Sequence, residues 1–337
     1  IETFGEPTDD NAETWWTAAS FLSYGGVIDV VRCATSGQLT ASDDAVTSPY
    51  VLSIPTKDVY EANYFYAGNN PFKFAARNVG ADQNSLRVAT IDQGADITLT
   101  LDGALTTTTV GTQVQTASAS PNGAKSGYIF AWDGANNKVS LITSDTWIAT
   151  DVIENGVTDL NVTAKSVWYD EQEVFPAVGN KPALKWSAIG PRPGTSPYAD
   201  DRGGKNDELH VVVYDATGEI TGAPNTVVEK FTYLSKANNG RTSEGAQNYY
   251  PQVLLDKSNW IYWGSHESAG VYDVSANQEI TGGNIAGTNN KGNAATTTFD
   301  LLGYNSYTFI KGAESGGATS GEIISAMQEF ADTCLLY

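Results

Sequence analysis

Apolar positions along this chain follow two rhythms, one of helical spacing and one that alternates. Ala12, Trp15, Trp16, Ala19 and Leu22 recur three and four residues apart, the spacing of one helical face. Asp10 and Glu13 supply an N-cap and N3 pair for this helix, and Gly25-Gly26 stops it. Residues 27–31 then read as a strand, a helix-to-strand step of an α/β layer. The polar stretch 35–48 reads as a surface loop. A second helix, rich in aromatic residues, is predicted near 58–66. The phrase from Asn78 to Ser85 is a turn leading into an alternating strand that runs through Thr90. Composition shifts from about Gln93 to Lys185. Residues 96–101, 127–132 and 138–142 each alternate, and Asp133-Gly134-Ala135-Asn136-Asn137 joins the last two as a hairpin.

Longer elements return after Pro191-Arg192-Pro193-Gly194-Thr195-Ser196. A strand over 208–215 turns at Ala216-Thr217-Gly218 and returns through Glu219-Ile220-Thr221, with another strand near 227–233. A helix over 250–257 carries Pro251 in its first turn, where the missing N–H costs little. The strand 260–263 follows, then a Gly/Asn/Ala/Thr-rich span over 275–298 that reads as a long mobile loop. Thr319 and Glu322 form a capping pair, and Ile323, Ile324, Met327, Phe330 and Ala331 line one face of a final helix before the strand 333–337. The fold class is therefore α/β (α+β) and multi-domain: discontinuous α/β core elements with an inserted, mostly β domain.

Composition sharpens this picture. At 337 residues the chain exceeds what one core organises, so two or three domains are expected. With 41% hydrophobic and 17% charged residues it is folded. A formal charge of −20 repels phosphates and anionic lipid, so neither nucleic acid nor membrane insertion is expected, and self-association should depend on salt. No apolar run is long enough to span a bilayer. Cys33 and Cys334 both fall in apolar strand patterns and read as free core thiols. The start at Ile1 and the end at Tyr337 both interrupt a pattern, so part of a longer parent is expected to be absent.

Several phrases carry a family resemblance in one order along the chain. They are Phe4-Gly5-Glu6-Pro7-Thr8, Phe21-Leu22-Ser23-Tyr24-Gly25, Val30-Val31-Arg32, Asn84-Ser85-Leu86-Arg87-Val88 and Pro193-Gly194-Thr195-Ser196. Further on come the stretch 206–215, Val228-Glu229-Lys230 with Leu234-Ser235-Lys236, and the stretch 321–331. Together they resemble the contractile tail sheath proteins of large myophages. The resemblance implies a virion subunit, assembled in the host bacterial cytoplasm, that self-associates as stacked hexameric rings around a tail tube. Baseplate and tail terminator proteins are the other implied partners, and contraction would drive the tube through the host envelope for genome ejection. It also implies three domains. Residues 1–57 with 318–337 would form an incomplete conserved sheath core, and residues 58–92 with 186–317 a middle α/β domain. Residues 93–185 would be an inserted β-rich domain facing outward. An N-terminal segment and a C-terminal part would be missing.

Catalytic machinery would overturn that reading. There is no G-x-x-x-x-G-K-[ST] loop. His210 lies within a strand and reads as a satisfied core histidine. Ser265-His266-Glu267 are consecutive and so point in different directions, which no triad allows among themselves. Asp200-Asp201 with Asp207-Glu208 offers oxygen ligands for calcium, but the spacing fits no EF-hand loop, and Arg202 and Lys205 suit internal ion pairs. Asp215-Ala216-Thr217-Gly218-Glu219 reads as a hairpin turn. No enzyme activity is expected, and no catalytic, cofactor-binding or metal-ligating residue is assigned. Two rival functions stand beside the sheath: a related contractile injection system, or a virion surface or receptor-binding module. The latter would bind glycans through its β domain, around Trp132, Trp147 and Trp168.

Overall fold

The computed structural model describes residues 12–25, 37–43, 52–67, 70–118, 120–156, 158–179, 181–266, 278–279, 298–313, 319–321, 323–324 and 327–328. The chain divides into a smaller unit, residues 1–37 with 315–337, and a larger one, residues 38–314. The smaller unit contains α1 (Ala12–Ser23), which has Glu13 in its first turn. Gly25, at φ 82°, follows it in a left-handed conformation. Trp16, Phe21 and Leu22 are exposed, as are Ile323, Ile324 and Met327 near the other end of the chain. The expected strands at 27–31 and 333–337, both cysteines, Asp10, Glu322, Phe330 and Ala331 lie outside the described residues.

The larger unit begins with β1 (Thr40–Ser42), α2 (Lys57–Tyr60), β2 (Phe74–Val79) and β3 (Leu86–Asp92). Glu61–Phe65 extends α2 by one π-helical turn. Six strands follow: β4 (Ile97–Leu101), β5 (Gln113–Gln115), β6 (Ser126–Asp133), β7 (Lys138–Ile142), β8 (Val152–Ile153) and β9 (Leu160–Val167). Next come α3 (Trp168–Glu171), β10 (Glu173–Phe175), β11 (Leu184–Lys185) and α4 (Pro197–Asp200). The rest comprises β12 (Glu208–Asp215), β13 (Thr226–Ser235), α5 (Tyr250–Lys257) and β14 (Ile261–Trp263). Last are β15 (Gln278–Glu279), β16 (Thr298–Phe299) and β17 (Tyr304–Thr308). The fold is mixed α+β.

An antiparallel sheet of order β13-β12-β3-β17 organises this unit. Its strand β12 is buried on both faces, which is why its sequence reads as a nearly unbroken apolar run. Leu209, Val211 and Val213 join Leu86 and Val88 in a core completed by β2, β14, α5 and α2. Val212 and Tyr214 face a second core with Ala89, Ile91, Trp168, Tyr169, Phe175 and Trp186. A second sheet, β1-β2-β14, covers the first core.

The six strands β4 to β9 form a closed barrel. Their order is β5-β6-β7-β4-β9-β8, and the two outer strands meet. Thr116 bridges Ile153, the Ala117 N–H donates to the Val152 carbonyl at 2.8 Å, and the Glu154 N–H donates to that of Gln115 at 3.0 Å. Closure removes the free edges that would otherwise invite strand pairing between chains. Ile97, Leu99, Ile129, Val139, Leu141 and Trp147 fill the barrel.

Two sequence expectations fail here. The loop expected over 35–48 contains β1, whose Thr40, Ala41 and Ser42 are fully buried. Backbone bonds join Ser42 to Ile310 and the preceding Leu39 to Ala313, and the Thr40 Oγ1 accepts from the Ile54 N–H at 2.8 Å. The Thr40 hydroxyl and the β1 backbone thus find partners, so a polar sequence sits in the interior. The return expected through Glu219-Ile220-Thr221 is also not a strand, because β13 starts only at Thr226. The Asp215 carboxylate gathers the intervening loop instead. It accepts from the Gly218, Ile220 and Thr221 backbone N–H groups and from the Ser85 and Thr221 hydroxyls. Burial would raise its pKa, but these donors hold it below the ordinary carboxylate value.

Candidate functional site

Most of the residues singled out above for chemistry are engaged in internal bonds or lie outside the described residues. Asp207 is fully buried and accepts from the Ser196 N–H at 2.7 Å, the Ser196 hydroxyl at 2.8 Å and the Ser235 hydroxyl at 2.7 Å. Glu208 accepts from the Gly194 N–H at 3.0 Å, and burial pushes its carboxyl up. Asp200 pairs instead with Lys205 at 2.7 Å on the surface. The four acids are therefore not gathered on one cation position. Among the described residues, no group of three or more His, Cys, Asp or Glu is arranged to hold a metal. Likewise, no described helix is long and apolar enough to cross a membrane.

His210 is fully buried within β12. Its Nε2–H donates to the Pro191 carbonyl at 2.9 Å, and its Nδ1 accepts the Tyr233 N–H at 3.0 Å. That second bond sits at a bulge where Tyr233 adopts φ 56°. The imidazole thus anchors a left-handed residue in β13, and burial depresses its pKa. It has no ring nitrogen left for catalysis.

His266 follows β14 and is held between two tyrosines. The Tyr250 hydroxyl lies 2.7 Å from Nδ1 and the Tyr249 hydroxyl 2.9 Å from Nε2, while the Trp263 indole N–H donates to the Tyr250 oxygen at 3.1 Å. The Ser265 hydroxyl donates to the Phe72 carbonyl, not to the imidazole, so the two form no nucleophile–base pair. Glu267 lies outside the described residues. Burial, with the Lys73 charge as a smaller cause, pushes the His266 pKa down to about 4.

The sign of the resulting pH effect follows directly. At pH 7 this histidine is neutral in both the folded and the unfolded chain. As pH falls below 6.5 the unfolded imidazole takes up a proton that the folded one refuses, so stability is lost down to about pH 4 and then levels. The depression corresponds to a loss on the order of 3 kcal/mol. Urea unfolding of the wild type and of His266→Gln at pH 7 and pH 5 checks this: the wild type should lose more stability between the two than the variant. Equal losses would remove His266 from the acid response.

The aromatic residues considered for glycan binding separate. Trp147 is fully buried in the barrel, and its indole N–H donates to the Thr143 hydroxyl at 3.3 Å. Trp168 is also buried, edge-on to Phe130 at 5.5 Å. Neither belongs to an exposed platform. Trp132 alone is half-buried, and it lines a cleft of about 460 Å³ with Thr98, Ala131, Ser140, Glu171 and Lys185. The hairpin placed Trp132 correctly. Its neighbours Glu171 and Lys185 were invisible to the sequence because the fold brings them in from α3 and β11.

A fully buried ion pair also escaped the sequence reading. The Lys236 ammonium donates to Asp92 at 2.8 Å and to the Asp300 carbonyl at 2.8 Å. The Asp92 carboxylate further accepts from the backbone of Gly94, Leu302 and Gly303. These contacts hold strand ends together and leave no reactive group facing solvent.

No family model matches the chain, and no solved structure matches it. The tail sheath protein of Salmonella phage ViI is similar to it, 26% identical over 302 residues, taking in 81% of this chain and 43% of that protein. The chain thus spans less than half the length of the curated relative it matches. By that similarity it is a distant relative of a phage tail sheath protein.

Proposed function

We propose that this chain is part of a contractile tail sheath subunit that self-associates in rings around a tail tube. The observation that carries the reading is similarity to a tail sheath protein spread over most of the chain. Its role is structural, in keeping with the commitment of His210, His266, Asp207, Glu208 and Asp215 to internal hydrogen bonds. A sheath that changes length needs subunits that move as largely rigid bodies while their contacts change. The sheet with a core on each face suits that demand, and so does the barrel without free edges. In this reading residues 93–185 are an insertion whose barrel faces outward. The exposed apolar side chains of the smaller unit, among them Trp16, Ile324 and Met327, are of the kind that pack against further protein.

Negative-stain electron microscopy of the full-length natural protein across a salt series tests the proposal. Rings or tubes should form, and more readily as salt screens the −20 charge. Dispersed monomers at every salt concentration would overturn it.

A further inference from the structure

We propose that Asn122-Gly123 is a site of spontaneous covalent modification, where the asparagine amide is converted to aspartate and isoaspartate and a tether beside the barrel seam is lost. This goes beyond the sheath reading and is independent of it.

The chain contains three Asn-Gly steps, at Asn122, Asn155 and Asn239. Such a step is open to deamidation because glycine, with no side chain, leaves its backbone nitrogen uncrowded. That nitrogen gives its proton to solvent base and attacks the asparagine Cγ, closing a succinimide ring. The bond from Cγ to the side-chain nitrogen breaks, and this nitrogen leaves as ammonia with a proton from water. Water then opens the ring at either carbonyl, giving aspartate or isoaspartate.

The fold treats the three steps differently. At Asn239 the nucleophile is engaged: Gly240 is buried, and its N–H donates to the Ala237 carbonyl at 3.0 Å. A Cβ at Gly240 would stand 2.5 Å from the Ser235 side chain, so this backbone has little room to turn. Asn155 is buried, and its Oδ1 accepts from both the N–H and the hydroxyl of Thr106 at 2.8 Å. Those two bonds fix its Cγ against the segment that follows β4. Asn122 and Gly123, by contrast, are exposed in the connection between β5 and β6. Space around Gly123 is open, and among the described residues its N–H has no acceptor. Asn122 is tethered through its amide nitrogen, which donates to Asp151 at 3.0 Å and to the Thr150 hydroxyl at 3.4 Å.

The product meets a charge. Asp151 is fully buried and pairs with Lys125 at 2.7 Å. Burial would raise its pKa, but Lys125, the Ile148 N–H and the Asn122 amide hold it below the ordinary carboxylate value. Conversion replaces the amide donor with a second carboxylate, so Asp151 loses a bond and gains a like charge. The tether that is lost joins the β5–β6 connection to the turn before β8, beside the seam where β5 and β8 close the barrel.

Peptide mapping of the full chain by mass spectrometry, during incubation in mildly alkaline buffer, tests the site. Trypsin places the three steps in separate peptides. The Asn122 peptide should gain one mass unit at least tenfold faster than the other two, and isoaspartyl methyltransferase should label it. In denaturant the three rates should draw together, since the fold is what separates them. Asn122→Gln should abolish the labelling, and Asn122→Asp should lower the unfolding midpoint, as incubation does to the wild type. Equal native rates at the three steps, faster conversion at Asn155 or Asn239, or no conversion at Asn122 would overturn the proposal. An unchanged midpoint in Asn122→Asp would overturn the loss of the tether to Asp151.

Discussion

Lys236→Met is expected to destabilise the chain by about 3–5 kcal/mol, the cost of leaving a buried charge without its partner. Both partners are essentially shut off from water, Lys236 at 0% and Asp92 at 1% exposure. Methionine keeps much of the volume of lysine, so the loss reports charge and not packing. The pair ties the ends of several strands in one sheet. Asp92 ends β3, the Asp300 carbonyl and the Leu302 and Gly303 N–H groups precede β17, and Lys236 follows β13. The Lys236 N–H donates to the Asp207 carbonyl at 2.6 Å, adding the start of β12. Asp92→Ala should cost more than Lys236→Met, because it also orphans three backbone donors, the two buried ones at about 1–3 kcal/mol each. Guanidinium unfolding checks both, with an unchanged slope showing that only the native state is affected. A loss below about 1 kcal/mol for Lys236→Met would mean that the backbone amides alone suffice to hold the carboxylate.

The sequence reveals this protein unevenly, for reasons that can be named. Strand β12 and the hairpin β6–β7 were legible because burial writes a period into residues that are close along the chain. The strand β1 was not, since Thr-Ala-Ser carries no apolar signal and is buried with the Thr40 hydroxyl and its backbone groups bonded. The late start of β13 was hidden by Asp215, whose carboxylate replaces a tight turn with a wider loop. Trp147 and Trp168 entered only the rival glycan reading, and the barrel and the second core take both inside, as aromatic residues in apolar patterns ordinarily are. What joins distant segments left the least trace. Lys236 with Asp92 and Trp132 with Lys185 are adjacent only once the sheet and barrel are folded, and no spacing rule connects them. The barrel's closure likewise depends on short strands, β5 and β8, that are too brief to show a period.

Gly94→Ala is expected to cost about 3–5 kcal/mol, through overpacking of a filled core together with backbone strain. Gly94 lies in the step from β3 to β4, where the chain leaves the sheet for the barrel. It adopts φ 52°, and a Cβ there would stand 2.2 Å from the Trp168 ring. That ring belongs to the second core, wedged against Phe130, and it follows directly on the barrel's last strand. The Arg192 guanidinium grips the same step, donating to the Gln93 and Ala95 carbonyls at 2.8 Å and to the Asp96 carboxylate at 3.0 Å. A displaced Trp168 would therefore disturb both crossings between sheet and barrel at once. Steric and backbone contributions separate in a double-mutant cycle. In a Trp168→Leu background the ring is gone, and Gly94→Ala should then cost only about 1–2 kcal/mol, the price of a left-handed alanine. Equal costs in both backgrounds would show that the backbone conformation, not the close approach of the ring, requires glycine. The barrel core shares no residue with this contact, so the Trp147 environment should stay native in every variant that remains folded. A changed Trp147 signal would mean that the junction transmits strain into the barrel instead of confining it to the sheet.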